Sequence, residues 1–307
     1  MYKRIVVPLD GSAVALQVMP YATALAKATD AKLELLEAVT VYPTAMTLPE
    51  ATPSIEDLEE YQKDRRKEAK ARLDGIAKTE RKRGLKVDVL VAEAHPAEAV
   101  IAAGEREPDS LIAISTHGRS GIGRWVLGSV TDKVVRHATV PTLVVRARND
   151  TVTSTTPKVK RVILPLDGST KSETAIPHAI GMAKAMKTGI SLVRAISPMA
   201  YGDAFADYVP TMYDDLTAEA EKDVREYLAF QAKCIREQGV TDVSVHTPDG
   251  YAATAILDEA GDTGENVVVM ATHGRSGVGR WVLGSVADRV VRHSAGPVLV
   301  VRPPKEA

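Results

Sequence analysis

Thr116-His117-Gly118-Arg119-Ser120-Gly121-Ile122-Gly123-Arg124-Trp125-Val126-Leu127-Gly128-Ser129-Val130 returns later in the chain as Thr272-His273-Gly274-Arg275-Ser276-Gly277-Val278-Gly279-Arg280-Trp281-Val282-Leu283-Gly284-Ser285-Val286. Only Ile122 and Val278 differ between the copies. Each copy follows a short apolar run, Leu111-Ile112-Ala113-Ile114 or Val267-Val268-Val269-Met270, and precedes a helical pattern ending in Val-Val-Arg-His. Buried strand, glycine-rich loop, helix start: this is the order in which α/β proteins hold phosphates. Glycines let main-chain N–H groups come close, and the positive end of the helix dipole favours an anion.

The doubling divides the 307 residues into two domains, residues 1–147 and 158–307. Residues 148–157 are polar, unpatterned and rich in Thr, the composition of a linker. The net charge of −1 removes the electrostatic attraction that nucleic acid requires. Aromatic residues make up 4%, too few for platforms that stack single strands, so nucleic acid is not an expected partner. No apolar run approaches the roughly 20 residues of a membrane helix, and no membrane partner is expected. Residues 1–7 lead directly into a strand-like pattern without a signal-peptide layout, and a cytoplasmic location is expected. The single cysteine, Cys234, excludes an internal disulfide and a cysteine-based metal cluster; its helical setting reads as packing.

Taken in order, residues 3–9 read as a buried strand closed by the turn Asp10-Gly11-Ser12. A helix over about 13–28 should kink at Pro20. A second strand covers 32–41, and Pro43, Pro49 and Pro53 mark a loop. Ser54-Ile55-Glu56-Asp57 resembles a capping box that opens a long helix to about residue 83, with Ile55, Leu58, Ala69, Leu73 and Ile76 inward. Its mixed run Lys63-Asp64-Arg65-Arg66-Lys67-Glu68 reads as a solvated face, with a basic docking patch as the alternative. A third strand at 87–91, a helix at 96–105, a fourth strand at 110–115, a helix at 129–137 and a fifth strand at 142–146 complete the unit.

The plan then restarts. Residues 160–169 repeat residues 3–12 almost letter for letter, and 116–146 match 272–302 at about three-quarters identity, while the intervening helices differ. Strands that alternate with helices and read as continuous Val, Ile and Leu predict an α/β fold. It consists of two doubly wound, Rossmann-like, five-stranded parallel sheets. In such sheets ligands sit beyond the carboxyl ends of the strands, where strand order reverses. Asp10 and Gly118 both fall at carboxyl ends, so they meet if the first and fourth strands are neighbours.

Gly123-Arg124-Trp125-Val126-Leu127-Gly128-Ser129 is a near miss to the P-loop, but it lacks the lysine before the serine and is not one. The spacing instead resembles the universal stress protein family, in a tandem form of its ATP-binding subclass. The likeness runs through nearly all of both halves, from Val-Pro-Leu-Asp-Gly-Ser to the closing Val-Val-Arg. The family's nucleotide signature is Gly-x-x-Gly, nine residues, then Gly-Ser or Gly-Thr. Gly118, Gly128 and Ser129 match it in the first half, as do Gly274, Gly284 and Ser285 in the second; Ser115 and Ala271 replace the first glycine.

The resemblance implies that Asp10 and Asp167 contact adenosine beside Pro8, Leu9, Pro165 and Leu166, and that Val39 and Ile196 line the adenine pocket. His117, Arg119 and Val130, with His273, Arg275 and Val286, complete the two nucleotide sites. It also implies ATP as ligand, Mg or Mn accompanying it, pairing through the last strands within one chain, and room for a homodimer.

Several of these residues have a second reading. Asp10-Gly11 can be a turn alone. His117 and His273 lack a partner at metal-ligand spacing and read as loop structure or phosphate-side contacts rather than as a base or ligand. Arg119, Arg124, Arg275 and Arg280 either supply charge to phosphates or are solvated. Trp125 and Trp281 read as loop packing ahead of base stacking. No residue set provides a positioned base, so the sequence favours a nucleotide-binding regulatory module over a slow ATPase or nucleotidyl-transfer enzyme, or over an adaptor without nucleotide.

Overall fold

The computed structural model describes residues 2–40, 55–116, 127–147, 157, 159–196, 210–272 and 283–303. The chain divides into two compact units, Met1–Pro157 and Lys158–Ala307. In the first unit the order is β1 (Arg4–Pro8), α1 (Ala13–Leu16), α2 (Met19–Thr29), β2 (Lys32–Ala38), α3 (Ile55–Lys82), β3 (Val87–Ala92), α4 (Pro96–Glu105), β4 (Ser110–Thr116), α5 (Ser129–His137) and β5 (Thr142–Arg146). The second unit runs β6 (Arg161–Pro165), α6 (Thr170–Glu173), α7 (Ile176–Met186), β7 (Gly189–Val193), α8 (Pro210–Glu237), β8 (Val243–His246), α9 (Ala252–Ala260), β9 (Asn266–Ala271), α10 (Ser285–His293) and β10 (Val298–Val301).

Within the first unit the strands lie in the order β3-β2-β1-β4-β5, and within the second β8-β7-β6-β9-β10. Every pairing inside a unit is parallel. Helices cover both faces, which is why Ile5, Val6, Val7, Leu111, Ile112 and Ala113 have no exposed surface and the strands read as unbroken apolar runs. On one face α2 and α3 are joined by the Thr23 hydroxyl donating to Glu80 at 3.0 Å, and on the other α4 packs against α5. The inward stripe of α3 is Ala69, Leu73 and Ala77 at four-residue spacing, closed by the buried Glu80.

The expected kinked helix over 13–28 is instead two helices. Gln17 and Val18 separate α1 from α2, and Pro20 stands in the first turn of α2, where its missing N–H leaves no bond unmade. Pro177 does the same in α7. The second strand stops at Ala38, short of residue 41. Ser54 of the expected capping box and the prolines at 43, 49 and 53 lie outside the described residues.

At the amino ends of the strands, Arg4 is 1% exposed and fully engaged. Its Nη1 donates to both oxygens of Glu34 at 3.3 Å, its Nε and Nη2 reach the Ser110 hydroxyl at 3.2 and 3.1 Å, and Nη2 also bonds the Ala103 carbonyl. Arg106 adds a second cation to Glu34 at 2.5 Å. Removing one member of such a buried cluster strands the others without solvent. Arg4→Ala is therefore expected to lower the unfolding free energy of the first unit by about 3 kcal/mol in urea titration; a loss under about 1 kcal/mol would show that Arg106 and water replace it.

Candidate nucleotide crevice

The pairing of β1 with β4 ends early. Partners run Arg4 with Ser110, Ile5 with Leu111 and Val6 with Ile112, yet β1 continues to Pro8 and β4 to Thr116. On their outer sides both strands stay paired to the end, Pro8 with Leu36 and Thr116 with Arg146. The second unit repeats this: β6 and β9 part after Ile163 and Val268, while β6 remains paired with β7 as far as Pro165 and Val193.

The cause is in the sequence. The Leu9 N–H donates to Leu36 of β2 at 2.8 Å, and the Leu166 N–H to Val193 of β7 at 3.0 Å. Successive residues of a strand turn their N–H groups to alternate sides, so Pro8 and Pro165 face β4 and β9, where a proline has no N–H to give. The strands splay there, at the point where the chain order reverses, and a crevice opens.

One lip is the Asp-Gly-Ser turn. Asp10 Oδ1 accepts the Ser12 N–H at 2.9 Å, Gly11 takes φ +83°, and the Ser12 hydroxyl caps α1 by accepting the Ala15 N–H at 3.1 Å. In the second unit Asp167 Oδ1 accepts both the N–H and the hydroxyl of Ser169, at 2.9 and 2.6 Å, and Ser169 caps α6 through the Ser172 N–H at 3.1 Å. Asp10 is exposed and Asp167 half-buried.

The other lip is a helix start. Gly128 and Gly284 occupy the cap positions of α5 and α10 without a side-chain cap, leaving first-turn amides of Ser129 and Val130, and of Ser285 and Val286, on the crevice side. Ser129 and Ser285 are exposed. The Gly128 N–H donates to the Thr116 hydroxyl at 3.2 Å and the Gly284 N–H to the Thr272 carbonyl at 2.9 Å, which fixes each start against its strand end. Thr116 further accepts the Ala147 N–H on its carbonyl at 2.9 Å. Ser115 is occupied in tying β4 to β5, its hydroxyl donating to Val145 at 3.2 Å, and Ala271 is buried.

The structure thus places Pro8, Leu9 and Asp10 at the carboxyl end of β1 and Ser115, Gly128, Ser129 and Val130 at the end of the neighbouring β4 and the start of α5; Pro165, Leu166 and Asp167, with Ala271, Gly284, Ser285 and Val286, stand in the same way in the second unit. Val39 and Ile196 stand at the ends of the second strands, but their amides are already committed, to Ala92 at 2.8 Å and Pro248 at 2.9 Å, so a base would meet them by side chain. His117, Gly118, Arg119, His273, Gly274 and Arg275, with both tryptophans, lie outside the described residues.

Sequence reading missed the charged groups behind each turn. In the first unit Arg72 of α3 binds the buried Glu37 through Nη2 at 2.5 Å. In the second, Arg194 lies over the Tyr227 ring of α8, 5.4 Å from its centroid, and the Tyr227 hydroxyl donates to Glu173 at 2.8 Å. The signal lay in comparing the halves position by position, since Glu37 and Arg194 follow Leu36 and Val193, which pair with the two prolines.

A doubly wound α/β unit whose two central strands part at the switch point, present twice, defines the class of fold. A profile of the universal stress protein family matches residues 1–146 and 158–302, and the chain belongs to that family. A universal stress protein of Methanocaldococcus jannaschii is 35% identical over 146 residues, which is 48% of this chain and 83% of that protein. One from Mycolicibacterium smegmatis is 28% identical over 307 residues, covering 97% of each. The crystal structure of a universal stress protein from Archaeoglobus fulgidus superposes with a TM-score of 0.71 at 21% identity, covering 98% of this chain and 99% of that one. No helix among the described residues is long and apolar enough to cross a membrane.

Two outcomes test this geometry. In Pro8→Ala the new amide faces β4 and is expected to exchange slowly with solvent; fast exchange would show that the splay has another cause. Burial first, and then its bond to Glu173, hold the Tyr227 hydroxyl well above the ordinary tyrosine value of 10.0. The unfolded chain then ionises more easily than the folded one, so the stabilising effect is complete below pH 10.0 and lost as pH rises beyond it. Alkaline absorbance titration should show late ionisation that Glu173→Gln moves earlier; no change in that variant would remove Glu173 from the account.

Proposed function

We propose that each half binds one ATP in its crevice, and that the protein works as a nucleotide-responsive module of the stress response rather than as a fast catalyst. What carries this reading is the early end of strand pairing in both units, with a carboxylate turn on one lip and an uncapped helix start on the other. The carboxylates of Asp10 and Asp167 suit ribose hydroxyls, and main-chain amides with a helix dipole suit phosphates. The chemistry on the two lips fits an adenosine at one end and a phosphate chain at the other.

Gly118, Arg119 and His117, with Gly274, Arg275 and His273, would close over the phosphates as the resemblance implies. Among the described residues no group of three His, Cys, Asp or Glu is placed to hold a metal, so an accompanying Mg or Mn ion would take its ligands mainly from phosphate and water.

Equilibrium titration of the full chain, read by tryptophan emission and calorimetry, is expected to give one ATP per half, with Gly118→Ala and Gly274→Ala each removing one site. Absence of saturable ATP binding in the millimolar range would overturn the proposal. Turnover far above background that vanishes in both variants would replace the module reading with an enzyme.

A further inference from the structure

In both halves a guanidinium lies against the glycine of the Asp-Gly-Ser turn, and it arrives from a different element each time. A Cβ at Gly11 would come 3.3 Å from Nε and 3.4 Å from Cδ of Arg72, which belongs to α3. One at Gly168 would come 2.8 Å from Nη1 and 3.3 Å from Cζ of Arg194, the residue after β7. The step of α8 that matches Arg72 is Tyr227, and the strand position that matches Arg194 is Glu37. What the two halves share is the place of the guanidinium, reached from unrelated positions.

Each arginine closes a ring of contacts that starts and ends at the turn. In the first half the Leu9 N–H, just ahead of the turn, donates to Leu36 at 2.8 Å. The next residue of β2, the buried Glu37, holds Arg72 through Nη2 at 2.5 Å and Nε at 3.4 Å, and Arg72 returns to Gly11. In the second half the ring runs through the short helix. Ser169 of the turn caps α6, and Glu173 at the end of α6 accepts from the Tyr227 hydroxyl at 2.8 Å and from Gln231 Nε2 at 3.1 Å. Arg194 lies over the Tyr227 ring, 5.4 Å from its centroid, and returns to Gly168. A carboxylate that must meet a ligand needs such support from behind, because hydrogen bonds weaken steeply once distance or angle is lost.

Resting on the nucleotide reading above, we propose that Arg72 and Arg194 are positioning residues for the ribose: each braces its turn, so that the carboxylate of Asp10 or Asp167 is held where it accepts from the ribose hydroxyls. They act through the turn and not by contact with the nucleotide. If Arg72 only joined α3 to β2, and Arg194 only joined β7 to α8, their loss would lower stability and leave the choice between nucleotides as it was. A brace alters that choice, since a displaced carboxylate no longer distinguishes a hydroxyl from a hydrogen.

The test compares ATP with 2′,3′-dideoxy-ATP, which keeps the base and the phosphates and lacks both ribose hydroxyls. Trp125→Phe leaves Trp281 to report the second half, and Trp281→Phe leaves Trp125 to report the first. Each half is expected to prefer ATP by about tenfold, the scale of a hydrogen bond to a charged group. Arg72→Ala would strand the Glu37 carboxylate, so the guanidinium is removed together with that charge, in Arg72→Gln with Glu37→Gln; the second half takes Arg194→Gln. Each variant should weaken ATP to the affinity of the dideoxy form in its own half and leave the dideoxy form and the other half unchanged. Arg72→Lys and Arg194→Lys, which keep the cation without the flat guanidinium, should lose most of the preference and serve where thermal melts show that a Gln variant does not fold. A preference that survives these substitutions, or equal weakening of both nucleotides, would overturn the positioning role while leaving nucleotide binding intact. So would a parent protein that binds both nucleotides equally well. Failure of both nucleotides to bind either half would overturn the nucleotide reading itself.

Discussion

A hydrogen bond that cannot form shapes this protein. Pro8 and Pro165 are the last residues of buried parallel strands, where a ladder normally uses every N–H, and each is turned toward the neighbour it cannot bond. The ladder on the other side holds the strand in place, so the missing donor costs the fold little and parts only β1 from β4 and β6 from β9. The acidic turn begins two residues after each proline, and the uncapped helix follows the strand across the gap.

Two halves with the same backbone satisfy their buried charges in different ways. At the amino ends of the first sheet, Arg4 gathers Glu34, Ser110 and the end of α4. In the second sheet Ser191 stands in place of Glu34 and donates instead to Glu259 of α9 at 2.6 Å, while Arg161 turns outward to Asp242 at 2.7 Å. At the carboxyl ends the residue after Leu36 is Glu37, bound by Arg72, whereas the residue after Val193 is Arg194, which lies over the ring of Tyr227. A fold fixed by apolar strands leaves such polar positions open to alternative solutions, provided each buried group finds a partner.

Much of this was legible in the residues. Near-continuous Val, Ile and Leu runs identified the parallel strands, and the doubled segment located the helix starts at Ser129 and Ser285. The crevice itself was conditional on β1 lying beside β4, which no local pattern states. Pro20 looked like a kink because a proline inside an apolar period reads so; the break before Met19 makes it a first-turn residue, and only the main-chain geometry reveals that. The Glu37–Arg72 and Arg194–Tyr227 contacts join residues more than thirty positions apart, beyond the reach of any periodicity.

Thr116 ends a strand, receives the amide of the helix cap on its hydroxyl, and receives the Ala147 N–H on its carbonyl just past the end of β5. One side chain and one peptide group thus fasten the mouth of the crevice to the domain's exit with no slack between them. A pull on the chain at Ala147 is therefore carried through the Thr116 carbonyl to the strand end against which α5 begins.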